Sequence, residues 1–117
     1  MPELPDLTAE DKKLVTLARA TRARIGAAEG AAARDTDGRT YAAATVALPS
    51  LQLSAVAACV AMAVASGSTG VDAVVVLGES GGLGDSDRAV LGDFAGASGV
   101  LVHVGDPRGT IADTLAL

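Results

Sequence analysis

The sequence contains very few cysteine, histidine or aromatic residues. Its 117 residues include one cysteine, one histidine, one tyrosine, one phenylalanine and no tryptophan. A single cysteine excludes an intrachain disulfide and a metal cage built from several thiolates of one chain. Because 50% of the residues are hydrophobic and only 2% are aromatic, small apolar side chains must form much of the core, and each buries little area. We therefore expect a modestly stable domain that gains from packing against another copy.

Long apolar segments are also missing. The longest, from Leu53 to Ala65, is too short and too rich in alanine to span a bilayer. The N-terminal stretch MPELPDLTAED is acidic and lacks the apolar region of a signal peptide. These features predict a cytoplasmic protein without membrane contact. We expect a single domain over residues 1–117, with a flexible N-terminus over residues 1–7.

The charge distribution bears on possible partners. A net charge of −5 argues against general nucleic-acid binding, since affinity for phosphate backbones comes mostly from lysine and arginine. The basic residues are nevertheless concentrated in the first third of the chain, where Arg19, Arg22 and Arg24 belong to the first predicted helix. The simple interpretation is a solvated helix face. The alternative is a face that contacts RNA or an acidic protein.

Local patterns in the first half predict one helix and one hairpin. A threonine cap, two acidic residues and a helical apolar stripe predict a helix over residues 8–25. Asp37-Gly38 is a strong turn signal, which predicts a hairpin between strands near 28–34 and 39–47.

The second half alternates helices with buried strands. A long apolar helix is predicted over residues 50–66, capped by Ser50. Another helix is predicted from Asp85 or Ser86 to about Gly96. The runs VDAVVVLG and GVLVHV predict buried strands, and TIADTLAL a last strand or frayed terminus. The order α-β-β-α-β-α-β-(β), with helices linking apolar strands, predicts an α/β protein with a three-layer α/β/α sandwich.

Four stretches resemble landmarks of the cytidine deaminase family. They are GAAARDTDGRTYAAATV on the hairpin, AVAACVAMAVASG in the central helix, DAVVVLGESGG in the next strand and loop, and DRAVLGDF at the following helix. The resemblance covers the chain from about Leu14 to Leu117. It implies a cytidine deaminase-like sandwich, and it implies a homo-oligomer, a dimer or tetramer packed through the central helices.

The residues that the resemblance requires for a zinc site are missing. The family holds zinc with a cysteine or histidine and a P-C-x-x-C pair, and a glutamate moves the proton. Here the ligand positions carry Ser54, Gly84 and Asp87, and Val56 stands at the glutamate position. Valine transfers no proton, and serine, glycine and one aspartate do not hold zinc tightly. We therefore expect no zinc, no cofactor and no catalytic residue.

Two further family positions are altered. The N-x-E stretch that grips the ribose is TVA over residues 45–47, and Ala27 stands where an aromatic residue packs on the base. The degenerate site predicts a pseudoenzyme, not an enzyme, acting as an oligomeric scaffold or partner-binding protein. The alternative is a nucleoside or nucleotide sensor without turnover, although the altered ribose and base positions argue against it.

Three isolated residues invite other interpretations. Ser80 lies in GESGG, which matches the G-x-S-x-G nucleophile elbow, and with His103 downstream it suggests a hydrolase. We favour a glycine-rich loop, because that motif requires a helix directly after the serine. His103 alone is more typical of a hydrogen-bonded core or interface residue, and Cys59 of a small buried thiol.

Overall fold

A computed structural model describes residues 7–117, and within them the chain forms three helices and seven strands. The helices are α1 (Ala9–Ile25), α2 (Ala55–Ala65) and α3 (Asp85–Asp93). The strands are β1 (Glu29–Asp35), β2 (Thr40–Ala44), β3 (Val46–Leu48), β4 (Leu51–Leu53), β5 (Val71–Gly78), β6 (Leu101–Gly105) and β7 (Ile111–Ala116). Residues 1–6 of the predicted flexible N-terminus lie outside the described residues. None of the three helices is long and apolar enough to cross a membrane.

The main sheet has five strands in the order β2-β1-β5-β6-β7, and β3 pairs with β4 in a separate hairpin. Within the sheet β5 and β6 are parallel, and the other neighbours are antiparallel. Alternate residues of β5 face opposite sides. Val75 packs with Leu14 of α1, whereas Val74 packs with Val56 of α2 and Leu91 of α3. Both faces are therefore covered, and the predicted three-layer α/β/α sandwich is confirmed.

A buried carboxylate fixes the turn between β1 and β2. Asp35 is fully buried, and one of its oxygens accepts hydrogen bonds from the backbone N–H groups of Asp37 and Arg39, both at 2.9 Å. Its other oxygen accepts from the hydroxyls of Tyr41 and Ser68. Burial alone raises the pKa of Asp35, but these donors lower it below the ordinary value. The Asp37-Gly38 turn is therefore stabilised from inside the sheet.

The predicted helix over residues 50–66 is wrong at its start. Leu51–Leu53 form β4, which pairs with β3 in the register Val46↔Leu53 and Leu48↔Leu51. The helix begins only at Ala55, and Ser54 caps it by accepting a hydrogen bond from the Ala57 N–H at 3.0 Å. Pro49 and Ser50 form the turn of this hairpin, which resembles a helix start because proline and serine favour both.

Candidate functional site

A polar cleft lies where β5 ends and both β1 and α2 begin. In the antiparallel register of β1 and β5, Glu29 stands opposite Gly78. Two cavities of about 340 and 280 Å³ both border Glu29 and Thr45. Ser54 lines the first cavity and Ser80 the second. We call the region lined by Glu29, Thr45, Ser54 and Ser80 the polar cleft.

Ser54 joins the start of α2 to the start of α3. Its Oγ donates a hydrogen bond to Asp87 Oδ1 at 2.5 Å. Gly84 is the N-cap residue of α3 and has no side chain to contribute. Val56 is fully buried in the core against the sheet. Of the four positions singled out from the sequence, two are bonded to each other, and the other two bring no polar side chain to the cleft.

This donor set does not fit a zinc ion. Catalytic zinc sites use three protein ligands drawn from cysteine, histidine and carboxylate. Of the three expected ligand positions only Asp87 carries such a group, and one of its oxygens already accepts from Ser54. Over residues 7–117 no three or more histidine, cysteine, aspartate or glutamate side chains are placed to hold a metal. The absence of zinc from the protein stays a prediction, and no step through zinc is derived for this chain.

Glu29 is a candidate functional residue that sequence reasoning missed. Its side chain is half-buried in the cleft, and this burial raises the pKa of its carboxyl group above the ordinary value. The negative charge of Asp87 raises the pKa further, while a hydrogen bond with Ser80 opposes the increase. The sequence signal that could have identified Glu29 is its position as the one charged residue at the start of EGAAA, a stretch whose other residues are small. A carboxyl group perturbed in this way within a cleft suits proton exchange or recognition of N–H donors.

Thr45 holds the backbone of Glu29 in place. The Glu29 N–H donates to Thr45 Oγ1 at 3.0 Å, and the Thr45 hydroxyl donates to the Glu29 carbonyl oxygen at 3.4 Å. Thr45 occupies the first position of the TVA stretch, between β2 and β3. The stretch identified by sequence as an altered ribose-binding position therefore supports the cleft by fixing the beginning of β1.

His103 belongs to a separate buried network on the α1 side of the sheet. Its Nε2 lies 2.8 Å from Asp11 Oδ2, and its Nδ1 lies 2.9 Å from Thr114 Oγ1. Arg34 donates to the other oxygen of Asp11 at 2.9 Å. Burial tends to raise the pKa of Asp11, but the bonds and charges of His103 and Arg34 bring it below the ordinary value. His103 is thus a hydrogen-bonded core residue, as predicted.

The structure does not bring Ser80 and His103 together. Ser80 and Glu29 line the same cavity of the polar cleft, whereas His103 is bonded to Asp11 and Thr114. The residue after Ser80 is a glycine with a φ of 71°, and α3 begins only at Asp85. The hydrolase interpretation is therefore wrong, since neither the nucleophile elbow nor the serine–histidine pair is formed.

Cys59 is buried in α2 and does not line the cleft. Its exposed fraction is 1%, and its Sγ lies 3.8 Å from the Tyr41 carbonyl oxygen, to which it donates. Burial raises the pKa of the Cys59 thiol to about 12. The thiol is therefore protonated and poorly reactive at neutral pH, in agreement with a structural role.

The arginines of α1 do not form one free basic face. Arg19 and Arg24 are exposed, and Arg22 is half-exposed beside the cleft. Arg19 Nη1 donates to the Arg108 carbonyl oxygen at 3.4 Å, and Arg22 Nε donates to the Ala28 carbonyl oxygen at 3.3 Å. Two of the three guanidinium groups thus hold neighbouring loops, and a partner on this face stays a prediction.

An apolar groove adjoins the polar cleft. It has a volume of about 570 Å³ and shares four lining residues with the smaller cavity beside Ser54, namely Thr45, Val46, Ala47 and Leu53. Its rim includes Ile25, Leu48 and Met62, whose exposed fractions are 58%, 56% and 39%. Large apolar side chains grouped at a surface in this way are typical of an interface.

Comparison with known proteins assigns the chain to a family. A family model described as cytidine deaminase-like matches residues 7–109. The chain therefore belongs to the cytidine deaminase-like family, and the resemblance seen in its sequence is confirmed. A search of curated protein sequences finds no match.

Solved structures of cytidine deaminases share the fold. The enzyme from Burkholderia pseudomallei is 22% identical, with a TM-score of 0.76 over 94% of this chain and 93% of the other. The Mycobacterium leprae enzyme is also 22% identical, with a TM-score of 0.70 and coverages of 95% and 94%. The Mycobacterium tuberculosis enzyme is 26% identical, with a TM-score of 0.68 and coverages of 81% and 85%.

These comparisons overturn the prediction of a non-catalytic scaffold or partner-binding protein, together with its alternative, a sensor without turnover. The chain belongs to the cytidine deaminase-like family, and the solved structures that resemble it are cytidine deaminases. The prediction equated the loss of the zinc ligands with the loss of the site. The structure retains a polar cleft at this place, with the Glu29 carboxyl group supplied by a different element, β1.

Proposed function

We propose that the protein has a deaminase-like function, in which the polar cleft binds a pyrimidine nucleoside that carries an amino group, such as cytidine. The observation that carries this proposal is the convergence of Glu29, Thr45, Ser54 and Ser80 at the carboxyl end of β5. Ligands of α/β sheets bind beyond the carboxyl ends of the strands. The fold that the chain shares with cytidine deaminases supports the same location.

The lining of the cleft suits such a ligand. Its two cavities of about 340 and 280 Å³ meet at Glu29 and Thr45, and the first alone falls within the size range of small-molecule sites, which begins at about 300 Å³. Val46, Ala47 and Leu53 give the first cavity an apolar wall on which a ring can pack. Glu29 and the hydroxyl groups provide hydrogen-bond acceptors for an amine and for the sugar.

Within this cleft Glu29 is the side chain best suited to hold or release a proton. Its pKa is raised by burial and by Asp87, so it takes up a proton at a higher pH than an ordinary glutamate. Val56 takes no part, because it is buried in the core. We propose that no zinc participates, since the residues present do not fit the ion. The ammonia measurement below tests the sequence prediction that the chain is not an enzyme.

A calorimetric titration with cytidine tests the proposal. Ala47 is exposed and lines the cleft, so Ala47→Trp should fill the space and weaken cytidine binding at least tenfold. Because Ala47 also borders the apolar groove, sedimentation velocity is used to confirm that the variant keeps the wild-type oligomeric state. Ala112→Trp, at an exposed position on β7, is the matched control and should leave binding unchanged. The proposal fails if the folded protein does not bind cytidine or if Ala47→Trp binds it equally well.

Ammonia release by the same samples, measured with and without a zinc chelator, tests the chemistry. We expect the chelator to change neither cytidine binding nor any release of ammonia. Release that stops on chelation and returns with added zinc would contradict a zinc-free site. Release that persists in the chelator would show that the chain is an enzyme and would correct the prediction from the sequence.

We also propose that a second copy of the chain covers the apolar groove, giving a homo-oligomer. The exposed apolar side chains at its rim support this, as does the alanine-rich surface of α2, which permits close helix packing. A cytoplasmic location, and a protein or RNA partner at Arg19, Arg22 and Arg24, stay predictions from the sequence.

A further inference from the structure

We propose that Glu29 determines the specificity of the polar cleft, by accepting a hydrogen bond from the amino group of an aminopyrimidine and disfavouring the corresponding oxo-pyrimidine. The inference rests on the proposed function and adds to it the residue that selects the ligand. Glu29 borders both cavities of the cleft, so its carboxyl group is within reach of a ligand in either one.

The position of the Glu29 side chain depends on Gly78. The two residues are partners across β1 and β5, and a Cβ atom added to Gly78 would lie 2.8 Å from Glu29 Cγ. The side chain of Glu29 therefore lies over the bare backbone of Gly78. The φ of Gly78 is not in the left-handed region, so this glycine is required for space and not for backbone conformation.

The neighbours of Glu29 orient its carboxyl group and set the charge around it. Thr45 fixes its backbone, and Ser80 lines the same cavity as its side chain. Arg22 and Glu79 line the same cavity, and Asp87 of α3 is close enough to act on Glu29 electrostatically. A carboxylate has about four acceptor sites, so one neighbouring hydroxyl group such as that of Ser80 leaves acceptors free for a ligand.

An ionised carboxylate accepts hydrogen bonds and donates none. It therefore favours ligand groups that carry an N–H donor over groups that carry only an acceptor. An amino group satisfies it. A carbonyl oxygen in the same place would face an acceptor, leaving both groups unpaired, and the negative charge of Asp87 would add to the repulsion. Sites built to hydrogen-bond a substrate group reject analogues that lack it.

The test is the ratio of the dissociation constants of uridine and cytidine, measured by calorimetry at pH 8, far above the ordinary glutamate pKa of about 4.3. We expect the wild-type protein to favour cytidine by about tenfold or more. Glu29→Gln should reduce this ratio to about two or less, because an amide both donates and accepts. Glu10→Gln, an exposed glutamate in the first turn of α1, is the matched control and should keep the wild-type ratio.

Gly78→Ala provides an independent test, because it displaces the Glu29 side chain while leaving its charge in the protein. The ratio should fall here as well. Should Gly78→Ala fail to fold, as judged by circular dichroism, Ser80→Ala takes its place, since it removes the exposed hydroxyl group beside Glu29. A folded Glu29→Gln variant that keeps the wild-type ratio, or a wild-type protein that binds both nucleosides equally, would overturn the inference and leave the proposed function standing. A wild-type protein that binds neither would overturn both.

Discussion

Ser54 Oγ and Asp87 Oδ1 are joined by a hydrogen bond of 2.5 Å. This bond connects the beginnings of α2 and α3, where the family resemblance implies a metal held between the two helices. In this chain the side chains of Ser54 and Asp87 connect the two helices directly, by a hydrogen bond. The carboxyl group that faces the cleft comes instead from β1, at Glu29, whereas Val56 is buried in the core.

Removing the Ser54 hydroxyl should destabilise the fold. Ser54→Ala loses both the cap of α2 and the bond to Asp87, so the free energy of unfolding should fall by about 1–3 kcal/mol. Urea unfolding measures the change. Ser86→Ala, an exposed serine in the first turn of α3, should change stability by less than about 0.5 kcal/mol. Equal effects of the two substitutions would show that the bond contributes nothing.

Acid should weaken the network of Asp11, His103 and Arg34. Because the pKa of Asp11 is lower in the folded chain than in the unfolded one, its stabilising effect is complete above its ordinary pKa of about 3.9. The effect is lost as the pH falls through the lower, folded-state value. Asp11→Asn should therefore cost about 1–3 kcal/mol at neutral pH and lose less stability than the wild type on acidification.

Chemical unfolding at a series of pH values between about 7 and 2 measures this difference. The exposed Asp93, at the end of α3, provides the control substitution Asp93→Asn, which should follow the wild-type profile. Wild type and Asp11→Asn curves that differ by a constant amount at every pH would contradict the assignment, since Asp11 would then contribute nothing that titrates.

Two glycine-to-alanine substitutions should have opposite effects. A Cβ at Gly30 would clash with the Ala18 carbonyl oxygen and lie 2.7 Å from Arg22 Cβ, so Gly30→Ala should force α1 away from β1 and cost about 1–3 kcal/mol. A Cβ at Gly92, within α3, would meet nothing within 4 Å. Gly92→Ala should therefore stabilise the protein by about 0.5–1 kcal/mol. Thermal unfolding compares the two, and a stabilising Gly30→Ala would refute the close approach of α1.

A charge in the apolar groove should disrupt self-association. Met62 is 39% exposed at the groove, and Met62→Glu would bury a carboxylate if a second copy covers it. Sedimentation velocity should show a dimer or tetramer for the wild type and a monomer for this variant. Ala89→Glu, at an exposed position of α3 outside the groove, should keep the wild-type state. A monomeric wild-type protein would contradict the proposed interface.

The sequence predicted the elements that carry their own local signals. Thr8 accepts a hydrogen bond from the Asp11 N–H at the start of α1, and Gly26 ends the helix with a φ of 69°. The short β-branched run of β5 correctly predicted a strand buried on both faces. The β3–β4 hairpin was missed because Leu51, Gln52 and Leu53 are too short a segment to distinguish a strand from the first turn of a helix.

Local sequence patterns could not predict the polar cleft, because its residues are far apart in the chain. Glu29 lies 25 positions before Ser54 in the chain, and only the pairing of β1 with β5 places it beside Ser80. Likewise Asp11 and His103 are separated by 92 positions and meet through the packing of α1 on the sheet. The family motif for the zinc site includes the positions of Ser54 and Val56. The carboxyl group in the cleft comes instead from β1, a strand that this motif does not include.

The decisive measurement is a calorimetric titration of cytidine into the purified wild-type protein, repeated with Ala47→Trp. The proposed function predicts saturable binding of one nucleoside per chain, weakened at least tenfold when tryptophan fills the cleft. A folded protein that takes up no cytidine, or one whose affinity is unaffected by Ala47→Trp, would contradict the assignment of a nucleoside to this cleft.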